Sequence, residues 1–354
     1  MQALAANRNR IRSAWEGRVS GCMLGKSVEV LSLQDGRDGL GDYLNDAGAL
    51  PLRDYIPLLK GTIVDRLAAD CCKGQITRAE PDDDINYTYL ALLVLEEHGT
   101  DFDTADVARA WLRLLPAGAT WTAERAAYSK LLASMNDEFV NGSEPGFDIG
   151  RCADNDYNEW IGAQIRADLY GWVCPGRPAL AATLARKDAA LSHRGEGING
   201  AMFVAAFGAA IPAHDNLDAA LDAALAEVPS DSATAAAVRF GRELAGDDDA
   251  VSKLHARYPE LSPVHTLNNL ALVVWALLAA DGDFSSAIGE AVTAGWDTDC
   301  NGATVGGLMG MAGASIPDHW TSPWAGRIGL SLAGVAEVSI DEVVERTLAV
   351  AHEL

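Results

Sequence analysis

Apolar residues recur at helical spacing along most of the chain. In the segment 104–115 they lie three or four positions apart, which is the period of one face of an α-helix. Alanine and leucine are abundant, and long alternating stretches, which would indicate strands, are scarce. Six segments are predicted as helices: 104–115, 122–135, 178–191, 199–211, 264–280 and 335–352.

Polar residues of the kind that cap helices mark the predicted starts. These residues are Thr104, Asp215, Ser230, Ser285 and Asp341. Two segments, 141–156 and 192–197, have no helical period and are predicted as irregular loops. The chain has no strand-helix-strand rhythm and no repeat at a fixed period. These patterns predict an all-α fold of many helices, forming one compact domain over 1–354 with functional loops on one side.

The charge balance narrows the classes of partner. Lys plus Arg number 27 and Asp plus Glu number 50, which gives a net charge of −23 in a chain of 354 residues. Binding to nucleic acid or to an anionic membrane surface needs a basic footprint, so we expect neither partner. The pattern leaves the oligomeric state open.

The predicted location is cytoplasmic. The N-terminal segment 1–18 carries arginines with no apolar stretch after them, unlike a secretory signal. The longest apolar run, Leu270 to Ala280, is too short to span a bilayer. The six cysteines form no C-x-x-C pair and are expected to be reduced thiols.

Two acidic clusters far apart in the chain carry the candidate chemistry. Pro81-Asp82-Asp83-Asp84 precedes an apolar stretch, and Gly295-Trp296-Asp297-Thr298-Asp299 precedes a glycine-rich one. If the fold joins them, five carboxylates share one site, where two like charges 4 Å apart repel by about 4 kcal/mol at an effective dielectric of 20. Cations would make such a site tolerable, and oxygen ligands favour Mg²⁺, Mn²⁺ or Ca²⁺ over zinc.

Each cluster also has a structural explanation. Aspartates at a helix start cap free N–H groups, and a third triple aspartate, 247–249, lies in an ordinary polar turn. The second cluster is the stronger candidate, because the glycines after it predict close approach by a neighbouring backbone. These glycines are Gly302, Gly306, Gly307, Gly310 and Gly313.

Other candidate residues are weaker when taken alone. Gly25-Lys26-Ser27 suggests a phosphate loop, but Ser20 stands where that motif needs its first glycine, so nucleoside triphosphate binding by this route is not expected. Glu29 has the alternative of a solvated helix-end residue, and His193 that of a capped loop histidine.

The pieces resemble, in this order, the ADP-ribosylglycohydrolase family, which includes dinitrogenase reductase-activating glycohydrolase. The segment from Ile11 to Gly25 resembles the family's N-terminal helix, and 82–88 resembles the T-D-D-T-x-M-T motif. Ile161 to Arg166 resembles N-G-A-x-M-R, with Ser192-His193 following it. Gly295 to Cys300 resembles G-G-D-T-D-T/S and is the most specific match.

The resemblance implies a compact all-α fold and a site for two Mg²⁺ ions, with Mn²⁺ as an alternative. Asp83 and Asp84 would be ligands with Asp82 at the family's Thr or Ser position; an alternative register puts Pro81 there and makes Asp82 and Asp83 the ligands. Cys300 stands where a hydroxyl normally ligates, and a thiol is a poor partner for Mg²⁺. The candidate metal ligands are Asp82, Asp83, Asp84, Asp297, Asp299 and Cys300.

The same resemblance implies a catalytic set and a substrate-binding set. The catalytic candidates are Glu29, Asp83 and Asp299. The candidates for the ADP-ribose pocket are Gly162, Ala163, Gln164, Arg166 and His193. Ile161 replaces the usual Asn of that pocket.

The implied activity is metal-dependent hydrolysis at the ribose anomeric carbon of ADP-ribosylated protein or of a small ADP-ribosyl compound. The departures at Ile161, Asp82 and Cys300 keep a smaller ribosyl substrate, such as a nucleoside, as an alternative. A binding relative without catalytic activity is a third hypothesis, which the Cys300 departure alone supports.

Overall fold

The computed structural model describes the backbone of residues 2–354 and the side chains of residues 7–354. Within this part the chain forms 17 α-helices and one two-stranded sheet. The α-helices are α1 Gln2–Lys26, α2 Glu29–Asp46, α3 Ile63–Leu67, α4 Asp83–His98, α5 Thr104–Leu114, α6 Thr122–Ser134, α7 Asp168–Trp172, α8 Pro178–Ala189, α9 Gly195–Ala210, α10 Leu217–Leu225, α11 Ala233–Glu243, α12 Ala250–Arg257, α13 Thr266–Ala279, α14 Phe284–Thr293, α15 Thr298–Ala312, α16 Asp318–Thr321 and α17 Ile340–Glu353. The strands are β1 Arg327–Leu332 and β2 Val335–Ser339.

Short 3₁₀ helices connect several of these elements. They are Ala69–Cys71, Gly99–Asp101, Ala117–Ala119, Phe139–Asn141, Ile149–Ala153, Ile161–Arg166, Ile211–Ala213 and Ser322–Trp324. The all-α prediction is confirmed, because the hairpin β1–β2 is the only sheet in the described residues.

Most of the predicted helices exist with small shifts at their ends. Helix α9 begins at Gly195, so the predicted loop 192–197 is half helical. The segment 141–156 holds only the short 3₁₀ helix Ile149–Ala153 and the last residue of Phe139–Asn141. The prediction for 335–352 is wrong over its first five residues, where β2 forms instead of helix. Val335 and Val338 sit three apart, and over so few residues a helical and an alternating period cannot be told apart.

The chain divides into two compact units. The first comprises Met1–Asp84, Ala233–Gly329 and Glu337–Glu345; the second comprises Ile85–Ser232, Leu330–Ala336 and Arg346–Leu354. The single domain over 1–354 stays a prediction.

Helices α1 and α15 meet backbone to backbone in the first unit. A Cβ added to Gly21 would lie 1.9 Å from the carbonyl oxygen of Gly302, and one added to Gly306 would lie 2.1 Å from that of Gly17. Real Cβ atoms essentially never come so close, so only glycine fits at these positions. The close approach predicted from the glycines after Asp299 is therefore confirmed, and we call this contact the glycine seam.

Helix α9 is the most apolar helix of the second unit. The stretch Gly195–Ala213 has 19 residues and a mean hydropathy of 1.2, enough by length and composition alone to cross a membrane. However, 67% of it is buried inside the protein, as in a core helix. Sequence reasoning considered only the shorter run 270–280 and overlooked this stretch.

Candidate metal centre and active site

The turn before α15 aims two carboxylates inward. Gly295 and Trp296 both have left-handed backbone, with φ of 86° and 60°, which reverses the chain just before Asp297. The Trp296 carbonyl accepts a 2.8 Å hydrogen bond from Ser32, and the ring stacks on His255 with centroids 4.2 Å apart. Such a conformation is rare for a large side chain and persists only where its surroundings enforce it.

Buried hydrogen bonds fix the start of α15. The Thr298 hydroxyl donates to the carbonyl of Gly25 at 2.8 Å, which ties α15 to the end of α1. The Asn269 side-chain oxygen accepts from the Asn301 amide at 2.8 Å and from the Asp297 N–H at 3.4 Å. Asp297 and Asp299 thus stand on a rigid platform, each only 3% exposed.

The first acidic cluster is anchored by two cations. Lys26, the last residue of α1, lies 2.6 Å from Oδ2 of Asp82, and the other Asp82 oxygen accepts the Asp84 N–H at 2.9 Å. Arg18 donates to Oδ1 of Asp84 at 3.1 Å, with both side chains fully buried. Asp82 therefore performs the helix-capping role considered above and forms an ion pair as well.

Three sets of side chains in this region bring their ligand atoms within 4.8 Å of one another. They are Glu29–Asp297–Asp299, Asp84–Asp299–Cys300 and Cys22–Asp82–Asp84. The structure thus brings together, within the first unit, Glu29 and all the predicted metal ligands except Asp83. Asp83 is half-buried, and its charge still helps to raise the pKa of Glu29.

Oxygen atoms in the first of these sets lack partners. Oδ1 of Asp297 and Oδ1 of Asp299 are buried and accept no hydrogen bond from the described residues. An unsatisfied buried acceptor costs about 1–3 kcal/mol, and more when charged. These atoms, in a set of hard carboxylate donors, fit a divalent cation such as Mg²⁺.

The pKa values of these carboxyls are shifted by burial and by neighbouring charges. Repulsion from Asp299 and burial raise the pKa of Glu29 well above its usual value, and burial with the Asp299 charge does so for Asp297. Burial would also raise the pKa of Asp82, but the Lys26 charge outweighs it and holds that pKa below its usual value. The charged form is therefore favoured at Asp82, by Lys26, and disfavoured at Glu29 and Asp297.

Two thiols lie among the carboxylates. Burial raises the pKa of Cys22 and of Cys300 well above the usual value, with nearby aspartates adding to the effect. All six cysteines are free and buried, and that they are reduced thiols stays a prediction. A neutral thiol is a poor ligand for Mg²⁺.

A small cavity opens beside the cluster. It has a volume of about 130 Å³ and is lined by Lys26, Glu29 and apolar residues of α2 and α3. Since a water molecule fills about 30 Å³, the cavity has room for a few waters next to Glu29.

The predicted substrate-binding residues belong to the second unit, where Arg166 is the centre of a buried ionic network. Its guanidinium pairs with Glu124 at 2.6 Å and also with Asp188, and it donates to the Ser192 hydroxyl at 2.9 Å. The centroid of the Trp111 ring lies 5.2 Å from the guanidinium carbon of Arg166. Arg166 is 1% exposed, so its contacts in the structure are with protein groups.

The remaining predicted pocket residues surround this network. A Cβ at Gly162 would lie 2.2 Å from a carboxylate oxygen of Glu124, so a larger residue there would displace the Glu124 carboxylate. His193 is buried, with Nδ1 2.8 Å from the Ser192 hydroxyl, and burial together with the Arg166 charge lowers its pKa well below the usual value. Ala163 and Gln164 are also buried, on the 3₁₀ helix Ile161–Arg166. Contact of these residues with substrate stays a prediction.

Sequence reasoning missed four residues of the first unit that shape the candidate site: Lys26, Arg18, Cys22 and Asn269. Only Lys26 gave a signal, as part of a phosphate-loop motif that failed on spacing. The others contact the acidic residues across long separations in the chain, which no local pattern reveals.

Comparison with known proteins decides the family. The sequence model described as ADP-ribosylglycohydrolase matches residues 3–350. The chain belongs to the ADP-ribosylglycohydrolase family. A solved structure described as an "ADP-ribosylglycohydrolase-related protein complex" is similar, with a TM-score of 0.58 and 21% identity over 98% of each chain, a likeness of fold alone. Comparison with curated proteins finds no match.

Membership indicates a hydrolase of the ADP-ribosylglycohydrolase type. It also gives the acidic cluster a context, because the same residues that resemble the family's motifs are those that converge in the first unit.

Proposed function

We propose that this protein is a Mg²⁺-dependent hydrolase that cleaves a bond at the ribose anomeric carbon of ADP-ribosylated protein or of a small ADP-ribosyl compound. The observation that carries the proposal is the set Glu29–Asp297–Asp299, with two buried carboxylate oxygens that accept no hydrogen bond from the described residues. Asp82, Asp83 and Asp84 are the other predicted carboxylate ligands.

A divalent cation, when bound, supplies Lewis-acid stabilisation of negative charge and holds hydroxyl groups in place. The cation also answers an electrostatic problem, because a protein of net charge −23 repels a diphosphate. A locally cationic site in an acidic protein would admit such a substrate.

The carboxylates themselves have two tasks in this proposal. Glu29 is half-buried and lines the cavity that has room for a few waters. Its carboxylate is therefore placed to accept a proton from an attacking water. Cleavage at an anomeric carbon passes through a transition state with oxocarbenium character, and the negative charge of Asp83 and Asp299 would stabilise the positive charge that develops on the sugar.

The test is calorimetric titration of ADP-ribose into chelator-stripped protein, with and without Mg²⁺, followed by chromatographic assay of ADP-ribosylated substrates. We expect binding and hydrolysis only with Mg²⁺. The exposed Asp248→Asn change, in the polar turn that also contains a triple aspartate, is the matched control and should leave both unchanged.

Two results would contradict the proposal, each in favour of an alternative function. Turnover of a nucleoside without binding of ADP-ribose would point to the smaller ribosyl substrate that Ile161 and Cys300 keep as an alternative. Binding of ADP-ribose without turnover of any ribosyl compound would point to a binding relative.

We also propose a cytoplasmic location. All six cysteines are free and buried, which suits a reducing compartment.

A further inference from the structure

The acidic residues of the first unit separate into two groups by their cationic partners. We call Asp82 and Asp84 the paired group, since Lys26 lies 2.6 Å from the first and Arg18 lies 3.1 Å from the second. We call Glu29, Asp297 and Asp299 the open group, since none of them forms an ion pair with any residue that the structure describes. In the paired group each of the two carboxylates has a cationic partner. In the open group none of the three carboxylates forms an ion pair with a described residue.

Hydrogen bonding separates Asp82 from the open group. Both oxygens of Asp82 have partners, Oδ2 with Lys26 and Oδ1 with the Asp84 N–H. In the open group, Oδ1 of Asp297 and Oδ1 of Asp299 are buried without a partner. An ion that binds Asp82 would have to displace an ammonium, while an ion entering the open group would satisfy acceptors that now lack partners.

Lys26 is built into this position. It ends α1, whose C-terminal dipole favours a positive charge. The glycine seam and the Thr298–Gly25 hydrogen bond hold that helix end against α15. Its side chain is 27% exposed and that of Asp82 is 3% exposed, so the ammonium covers the carboxylate from the solvent side.

We propose that this protein binds one divalent cation, in the open group, and that the Lys26 ammonium replaces the second ion that the family resemblance implies. The inference deepens the proposed function, because it rests on the same cation site. Without Asp82, the set Asp84–Asp299–Cys300 is a poor place for a second ion, since Arg18 pairs with Oδ1 of Asp84 and the third donor is a soft thiol.

The test counts ions by titrating Mn²⁺ into chelator-stripped protein, with electron paramagnetic resonance as the readout. We expect one Mn²⁺ per chain with the signal of an isolated ion. Two ions about 3.5–4 Å apart, as in two-metal sites, would instead give a spin-coupled signal, and two ions per wild-type chain would overturn the proposal.

Variants of Lys26 test its role directly. Lys26→Met removes the charge at similar length and should raise the count to two, whereas Lys26→Arg keeps the charge and should leave it at one. Lys253→Met removes a surface charge paired with Asp247 and is the matched control, with an expected count of one. A count of one in Lys26→Met would show that Lys26 does not exclude a second ion and would overturn its role.

The remaining outcomes separate this inference from the proposed function. If Lys26→Met does not fold, the double variant Lys26→Met, Asp82→Asn removes the ion pair whole and should still bind one ion. One bound ion without hydrolysis of any ADP-ribosyl compound would discard the proposed function and leave this inference standing. No bound Mn²⁺ would discard both.

Discussion

Single side chains determine how so many carboxylates coexist in the first unit. Lys26 and Arg18 form ion pairs with Asp82 and Asp84, while Asp297 and Asp299 keep oxygens without partners. The aspartates could be identified from the sequence, because their motifs are local. Their division into a paired and an open group could not, since Lys26 and Asp82 are far apart in the chain and only the fold shows that they touch.

Because the open group lacks a cationic partner among the described residues, we expect Asp297→Asn to stabilise the protein when no metal ion is bound. The change removes a buried charge from a repelling set, so the chelator-stripped variant should melt at a higher temperature than the wild type. The same variant should lose the rise in melting temperature that Mg²⁺ gives the wild type.

Calorimetric melting with and without Mg²⁺ checks both expectations. Asp248→Asn, on the exposed turn, should change neither. A lower melting temperature for stripped Asp297→Asn would mean that the carboxylate stabilises the free protein, contrary to the raised pKa of Asp297.

Arg166 predicts a different result in the second unit. Arg166→Leu leaves Glu124 and Asp188 buried without their partner, which should cost about 3–5 kcal/mol. Arg113→Leu, which breaks the exposed pair with Glu97, should cost at most about 1 kcal/mol. Urea unfolding measures both free energies, and equal values for the two variants would contradict the network described here.

At the scale of elements, the glycine seam positions the candidate site. It places the end of α1, with Lys26, beside the start of α15, with Asp297 and Asp299. The run of glycines after Asp299 predicted a close neighbour, but no sequence pattern identified α1 as that neighbour. Helices with a clear apolar period, such as α5, were predicted almost to the residue, whereas β2 was mistaken for helix because it is too short to show its period.

Alanine substitutions test the seam. Gly302→Ala places a Cβ 2.4 Å from the carbonyl oxygen of Gly21, and such overpacking should cost about 1–3 kcal/mol or more. Gly41→Ala in α2 meets nothing within 4 Å and should stabilise the protein by about 0.5–1 kcal/mol, because alanine favours helix. Thermal or urea unfolding distinguishes the two, and a stabilising Gly302→Ala would contradict the close approach.

At the scale of the whole molecule, acidic charge dominates. The net charge is −23, and in the candidate site the pKa values of Glu29, Asp84, Asp297 and Asp299 are raised while that of Asp82 alone is lowered. A carboxyl whose pKa is higher in the folded state binds its proton more tightly when folded. The contribution of these four carboxyls to stability is therefore greatest below the unfolded pKa of about 4 and falls as pH rises towards the folded value.

The stripped protein should accordingly melt at a lower temperature at pH 8 than at pH 5. Saturating Mg²⁺ should reduce this difference, since a bound cation favours the charged carboxylates. The double variant Asp297→Asn, Asp299→Asn should show a smaller difference without Mg²⁺, which separates the site from the general surface charge. An unchanged pH dependence in that variant would place the effect elsewhere in the molecule.

The glycine seam has a consequence for how the protein is made. Gly21 and Gly302, which touch across it, are about 280 residues apart, and a ribosome adding about 5–20 residues per second needs roughly a quarter of a minute to a minute to span that distance. During this time the nascent α1 carries a glycine-lined face whose partner does not yet exist. The candidate metal centre can therefore assemble only after α15 has been synthesised, and premature termination before α15 should yield a chain that needs a chaperone or is degraded.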